Sequence, residues 1–362
     1  MSEGAADVGG WRRGRFAHTF AAIDLGTNNC RLLVANASAT GFDVTDSFSR
    51  PVRLGERLTD TGALCDDAIG RTLAALEVCA EKMRRGRVTR SRHIATEACR
   101  RATNGQAFLD IVRERTGLVF DVISAREEAR LAVSSCQQLL DPTRPRALLV
   151  DIGGGSTEVV WIALDDRPPT VCGVDPAIRD MVSIPWGVVT LTEARTTGLA
   201  RDAALPEGVY EAMLRQIDDA LAPFCARNGV RREIEADRVQ MIGASGTVTT
   251  MAAHNMGLRR YARNAVDGTV IARDAVMRIC ARLSGMSVAS LTQEPCIGEE
   301  RAELALAGGA ILEAVCRRWP VPRIVVADRG LREGVLADLM RQADRDCDPL
   351  RRFDDDTAAS AG

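Results

Sequence analysis

A short pattern occurs twice in this chain. Residues 22–33 read AIDLGTNNCRLL, and residues 150–160 read VDIGGGSTEVV. Aligned on Asp24 and Asp151, the copies stand 127 residues apart (151 minus 24). Each is an apolar strand, an Asp, an aliphatic residue, a Gly, a small polar turn and a second apolar strand. Apolar runs flanking a Gly- or Asn-rich turn predict a β-hairpin. A single repeat at this distance, unlike periods of roughly 20–50 residues, means two similar domains rather than a solenoid. Two domains that each open with such a hairpin can turn the tips toward each other across a cleft.

The rest of the sequence fills out an α/β alternation. Strands are expected at 20–25, 31–35 and 42–48 as an antiparallel meander, then at 93–96 and 119–123. Helices are expected at 66–84, 104–115 and 125–140, after which Asp141-Pro142 and Pro145 mark a boundary. The second cycle predicts strands at 147–152, 157–163, 239–242 and 323–327. Its helices are expected at 206–222, with Pro206 in the tolerated first turn, and at 247–256, 272–283, 299–318 and 330–340. The domain reading is a lead-in over 1–19, a first domain over 20–139 completed by helix 330–343, a second domain over 140–329, and a disordered tail over 344–362.

The turns carry the chemistry. In Asp151-Ile152-Gly153-Gly154-Gly155-Ser156-Thr157 three glycines remove every Cβ, so successive N–H groups can converge on an anion. Ser156 and Thr157 add hydroxyls, and Asp151 with Glu158 offers carboxylates for a hydrated Mg²⁺. The partner turn offers Asp24, Gly26, Thr27, Asn28 and Asn29, with Arg31 on the following strand. A third loop, Ser245-Gly246-Thr247, joins a strand to a helix N-terminus, a natural anion site or an ordinary cap. Arg100 follows a strand, and arginine grips phosphate bidentately. Glu127-Glu128 opens a helix, where carboxylates suit the dipole or serve as a general base. The run Arg84, Arg85, Arg87, Arg90 and Arg92 reads as a solvated helix end.

Composition closes several alternatives. Lys82 is the one lysine among 47 basic residues, and it follows Glu81 in a helical run, so no Walker P-loop exists. Net charge is −2, against a nucleic-acid coat. No apolar run approaches the ~20 residues of a membrane span, and no signal-peptide pattern is present, which predicts a cytoplasmic protein. The 11 cysteines hold no C-x-x-C and only three histidines accompany them, so they are expected reduced and mostly buried, without a zinc site.

Eight stretches in order resemble the exopolyphosphatase / guanosine pentaphosphate phosphohydrolase family of the actin-like ATPase superfamily. They are AAIDLGTNNCRLLVA (21–35), IATEACRRATNG (94–105), ISAREEARLA (123–132), LLVDIGGGSTEVV (148–160), SIPWGVVTLTE (183–193), MIGASGTVTTMAA (241–253), ERAELALAGGAIL (300–312) and VVADRGLREGVL (325–336). The resemblance implies an α/β protein of two ribonuclease-H-like domains with the active site in the cleft between them. It implies hydrolysis of terminal phosphoanhydride bonds with Mg²⁺, and K⁺ is a candidate activator. Glu128 takes the place of the catalytic base and Arg100 that of the phosphate-gripping arginine. Asp151 and Glu158 take the places of the metal-associated carboxylates. The loops at 24–31, 153–157 and 245–247 match phosphate or nucleotide contacts. Inorganic polyphosphate is the expected substrate and guanosine pentaphosphate the alternative, with no nucleic-acid or membrane partner and a homodimer as the family-level expectation. Two departures stand out. The first turn reads T-N-N-C where the family commonly has S-N-S and a hydrophobic residue, and Glu97 puts a negative charge beside an anion site. The long polyphosphate channel built with an extra C-terminal helical domain is not implied for a chain of this length.

Overall fold

The computed structural model describes residues 14–39, 41–164, 176–196, 198, 200–206 and 208–347. The meander appears as β1 (Thr19–Leu25), β2 (Asn29–Ser38) and β3 (Gly41–Pro51), all antiparallel neighbours. β4 (Arg90–Ala95) pairs parallel to β1, and β5 (Phe120–Val122) parallel to β4. The sheet order is β3-β2-β1-β4-β5.

The second sheet repeats this plan. β6 (Arg146–Ile152), β7 (Thr157–Ala163) and β8 (Ala177–Ile184) form an antiparallel meander. β9 (Val239–Ala244) pairs parallel to β6, β10 (Val270–Ala272) antiparallel to β11, and β11 (Arg323–Ala327) parallel to β9. The order is β10-β11-β9-β6-β7-β8. β8 is the counterpart of β3, so the repeat reaches further than the sequence motif. The sequence pattern missed it because its residues are half-exposed and lack clean alternation.

Alternating burial sorts the strands' side chains into layers. Ala21, Ile23 and Leu25 pack outward against helices Asp66–Arg85 and Gly105–Thr116. Phe20 and Ala22 face inward against helices Ala125–Cys136 and Leu331–Asp346. Those two helices also cover Ala147, Leu149, Val160 and Ile162 of the second sheet, so one core is shared by both sheets. Outside the second sheet lie helices Val209–Asn228, Ser245–Asn255, Arg273–Ser284 and Gly298–Arg318. The layers therefore run helix, sheet, helix pair, sheet, helix. Among the described residues no helix is long and apolar enough to cross a membrane.

Some element boundaries differ from expectation. The helix expected at 206–222 is Val209–Asn228, entered through Gly208 in the left-handed region, so Pro206 precedes it. It continues through Pro223, where the lost hydrogen bond is offset by burial of Leu221, Phe224 and Cys225. The helix expected over 125–140 ends at Cys136 and tightens into a 3₁₀ turn, Gln137–Leu139. A short helix, Glu97–Arg101, and helix Val188–Thr196 were not anticipated. At the chain's end the helix runs on through Asp346, and Asp344 bonds the backbone N–H of Arg15 at 2.9 Å. Residues 344–346 thus belong to an element rather than a disordered tail. The tail from 348 onward, the lead-in over 1–13 and Cys172 lie outside the described residues. Of the described cysteines, Cys30, Cys79, Cys99, Cys136, Cys225, Cys280 and Cys316 are buried thiols, Cys65 and Cys296 are half-buried, and Cys347 is exposed.

Candidate active site

Both hairpin turns are built alike. The N–H of Gly26 donates to the Asn29 carbonyl at 3.0 Å, and that of Gly153 to the Ser156 carbonyl at 2.9 Å. Opposite each Asp stands the residue seven positions on: Asp24 faces Arg31, and Asp151 faces Glu158. The tips then meet. A Cβ built on Gly154 would lie 3.1 Å from the Asn28 nitrogen, and one on Gly155 would lie 2.5 Å from Thr27 Oγ1. Any side chain at Gly155 would collide, which is why glycine is required there.

The turn carbonyls are tied back, and this aims the amides. The N–H groups of Val188 and Val189, at the start of helix Val188–Thr196, donate to the carbonyls of Gly153 (2.9 Å) and Gly154 (2.8 Å). Thr190 Oγ1 donates to the Gly155 carbonyl at 3.1 Å. In a trans peptide C=O and the following N–H point oppositely. The N–H groups of Gly154, Gly155 and Ser156 therefore face away from that helix, toward the cleft. The first turn repeats the device: Gly55 N–H holds the Thr27 carbonyl, and Val52 and Arg53 N–H both hold that of Asn28, each at 2.9 Å.

A cleft of about 1900 Å³ opens beside the meeting turns. Its walls include Asp24, Gly26, Thr27, Asn28, Asn29, Arg31, Glu128, Asp151, Gly153, Gly154, Gly155, Ser156, Ser245, Gly246 and Thr247. Three candidates lie behind the wall. The Thr157 hydroxyl donates to the Trp186 carbonyl at 2.7 Å, so it braces the turn instead of offering a donor to the cleft. Glu158 is buried and accepts from Ser156 Oγ and Ser183 Oγ, each at 2.7 Å. Arg100 sends Nη1 to the Ile123 carbonyl (2.7 Å) and Glu128 (3.3 Å), and Nη2 to Glu97 (2.5 Å).

The third loop also differs in detail. Ser245 holds φ +80°, a conformation rare for a side-chain-bearing residue, while its hydroxyl donates to the Ile152 carbonyl at 2.5 Å. Thr247 packs against Gly308, whose Cβ would meet Thr247 Oγ1 at 2.7 Å. What the loop turns toward the cleft is the open N-terminus of helix Ser245–Asn255, with no side-chain cap.

Burial dominates the protonation of Asp24, Asp151, Glu158 and Glu128 in this region. Burial raises Asp24, with Arg31 and Arg332 opposing. Asp151 is pushed up to about 6 by burial and then by Asp24. Glu158 is pushed up to about 7 by burial and then by Asp151, the two serine hydroxyls opposing. Glu128 is raised well above the usual carboxylate range by burial and then by Glu158, against the pull of Arg100. Burial works against the charge on Arg100, but Glu128 and Glu97 outweigh it and raise its pKa. A concentration of buried negative charge that must hold protons to be tolerated is one that a hard cation relieves. Among the described residues no three His, Cys, Asp or Glu side chains converge as a ready metal cage. Asp24, Glu128 and Asp151 line the cleft and could face a hydrated cation there.

Sequence reasoning missed several contributors. Arg332, from helix Leu331–Asp346, is half-buried, reaches the Leu32 carbonyl at 3.2 Å and lines the cleft near Asp24. Its only sequence signal was its place in VVADRGLREGVL. The anchoring amides at 52–55 and 188–189 carry no side-chain signal, although the SIPWGVVTLTE stretch contains the second set. Further along, the cleft passes Tyr261 and Arg301, whose guanidinium carbon lies 5.7 Å from the Tyr261 ring centre.

Comparison with known proteins agrees in placing the chain. The family model described as the Ppx/GppA phosphatase family matches residues 33–343. The structure of an Aquifex aeolicus member of the Ppx/GppA protein family is 26% identical, with TM-score 0.71, covering 90% of this chain and 98% of that one. An exopolyphosphatase-like protein is 26% identical with TM-score 0.78, again covering 90% and 98% of the two chains. An exopolyphosphatase from Cytophaga hutchinsonii shares the fold at 21% identity and TM-score 0.77, with coverage of 90% and 98%.

Proposed function

Because this chain belongs to the Ppx/GppA phosphatase family, we propose that it is an exopolyphosphatase, releasing orthophosphate from the end of inorganic polyphosphate. The observation that carries the reading is the pair of tied-back turns, whose N–H groups face one cleft beside a buried carboxylate, Glu128. Phosphoryl transfer from an anhydride needs mainly positioning and charge stabilisation, with little covalent work from the protein.

In this reading the terminal phosphoryl group lies against the amides of residues 154–156 and 28–29, with Arg31 supplying positive charge from β2. Arg31 stands opposite Asp24 and lines the cleft, and its charge opposes the raised pKa of Asp24 and Asp151. Glu128 Oε accepts the proton of the attacking water and holds it in line with the anhydride. Burial and the neighbouring carboxylates raise the affinity of Glu128 for a proton, and a cation bound beside Asp151 would relieve that charge and free Glu128 to accept one. Asp151, which lines the cleft, is the residue that would hold hydrated Mg²⁺, with Glu158 behind it, oriented by Ser156 and Ser183, adding negative charge from the second layer. When bound, Mg²⁺ neutralises charge on the phosphate oxygens. Glycines at 153–155 exclude side chains from the path of the anion.

Guanosine pentaphosphate is the second reading. The extension of the cleft to Tyr261 and Arg301 supports it, because an aromatic ring and a guanidinium are the surfaces on which a purine stacks. Orthophosphate release by the purified chain, with Mg²⁺ and each substrate in turn, tests both. Release from guanosine pentaphosphate alone reverses their order, and no release from either refutes the hydrolase reading.

A further inference from the structure

The proposed reaction leaves Glu97 without a task. Glu97 opens helix Glu97–Arg101 and lines the cleft. It lies against the second turn, for a Cβ on Gly155 would stand 3.0 Å from Glu97 Cγ. Its carboxylate holds Arg100 Nη2 at 2.5 Å and stands 3.8 Å from Arg101 Nε. Arg100 Nη1 is engaged by the Ile123 carbonyl and Glu128. Both Nη groups are therefore engaged, Nη2 by Glu97, and Arg100 is not part of the cleft wall. Bidentate capture of a phosphoryl group needs two N–H groups on one edge of the guanidinium.

A carboxylate and a phosphate are rival acceptors for that edge. We propose that Glu97 is a positioning residue that competes with the phosphoryl group for Arg100. The competition keeps the ground-state hold on phosphate weak, so that orthophosphate leaves after hydrolysis. Binding substrate, product and transition state equally tightly lowers KM without raising kcat. A built-in counter-ion limits such binding, because Arg100 engages the anion only at the expense of its bond to Glu97. This proposal rests on the phosphatase reading above and adds to it a contact between Arg100 and the phosphoryl group.

The test uses the full chain as wild type, Glu97→Gln, Glu97→Asp, Arg100→Gln and the Glu97→Gln/Arg100→Gln double variant. Orthophosphate binding is read by titration calorimetry, and KM and kcat are read on tripolyphosphate with Mg²⁺. Glutamine keeps the shape of Glu97 and removes its charge. The expected result is orthophosphate bound about three- to tenfold tighter in Glu97→Gln, with KM lowered similarly and kcat not raised. Glu97→Asp returns toward wild type, the gain shrinks with added salt, and it vanishes in the Arg100→Gln background. Unchanged or weaker orthophosphate binding in Glu97→Gln overturns the proposal. So does a gain that persists without Arg100, because Glu97 then repels the anion directly. Should Glu97→Gln melt early, Glu97→Ala repeats the binding measurement. A wild type that binds orthophosphate but hydrolyses no anhydride refutes the activity reading instead, so the two failures are told apart.

Discussion

At Glu128 burial and the neighbouring carboxylates pull the same way, and only Arg100 opposes them. The residue is largely buried, near Glu158, Asp151 and Asp24, and each neighbour makes its ionised form costlier. The same holds for Asp151 and Glu158, and it has a consequence for stability. With no cation bound, these groups keep protons up to about 6 and about 7, whereas an unfolded carboxylate has lost its proton above ~4. Between those values the native state binds more protons than the unfolded state, so stability falls as pH rises through the window. The loss is complete above the native pKa values. The melting temperature of the metal-free protein is therefore expected to be lower at about pH 8 than at about pH 5.5, and Glu158→Gln is expected to flatten that fall. Mg²⁺ is expected to raise the melting temperature most at the higher pH. A wild-type melting temperature that rises over this range by as much as that of Glu158→Gln contradicts the assignment.

The turns work only because neighbouring elements hold their carbonyls. Thr190 is a direct example: its hydroxyl accepts from Gly187 N–H at 2.8 Å and donates to the Gly155 carbonyl at 3.1 Å. Thr190→Val keeps the volume and removes both bonds. It is expected to destabilise the protein by about 1–3 kcal/mol and to lower kcat/KM beyond what the melting temperature explains. Thermal melting alongside steady-state kinetics reads both; unaltered kcat/KM would mean the amides are aimed without Thr190. The turns themselves were legible in the sequence because Asp, Gly and Asn report backbone geometry directly. Their anchors were not, since Val52, Val188 and Val189 act through main-chain N–H groups, which any residue but proline supplies. Thr157 and Ser245 show the reverse. Their hydroxyls fit an anion site by type, yet the fold uses them on the carbonyls of Trp186 and Ile152.

Across the whole molecule, side chains from the two halves tie the segments that hold the two turns. Arg57 N–H donates to Glu193 Oε1 at 3.0 Å, and Arg53 pairs with Glu303 at 3.3 Å. Arg53 and Arg57 both sit at positive φ, 49° and 60°, in the segment that holds the first turn, while Glu193 belongs to the helix that holds the second. Glu193→Ala is expected to loosen the register of the turns, raising KM for polyphosphate and increasing the radius of gyration in X-ray scattering. Unchanged values of both would show that closure does not depend on this contact. The two-fold repeat of this architecture was legible from residues 22–33 and 150–160 alone. The shared core was not: Ala129, Leu131 and Leu336 have the apolar spacing of any half-buried helix, and nothing in that spacing says that two sheets press on them.

The central claim is that Glu128 activates water at a phosphate site made by two facing turns. The measurement that tests it most directly is orthophosphate release from polyphosphate with Mg²⁺ by wild type and Glu128→Gln at matched folding. The predicted result is release by wild type and a fall of about 10²–10⁴-fold in kcat for the variant, with KM little changed. Near-normal turnover by Glu128→Gln would contradict the claim.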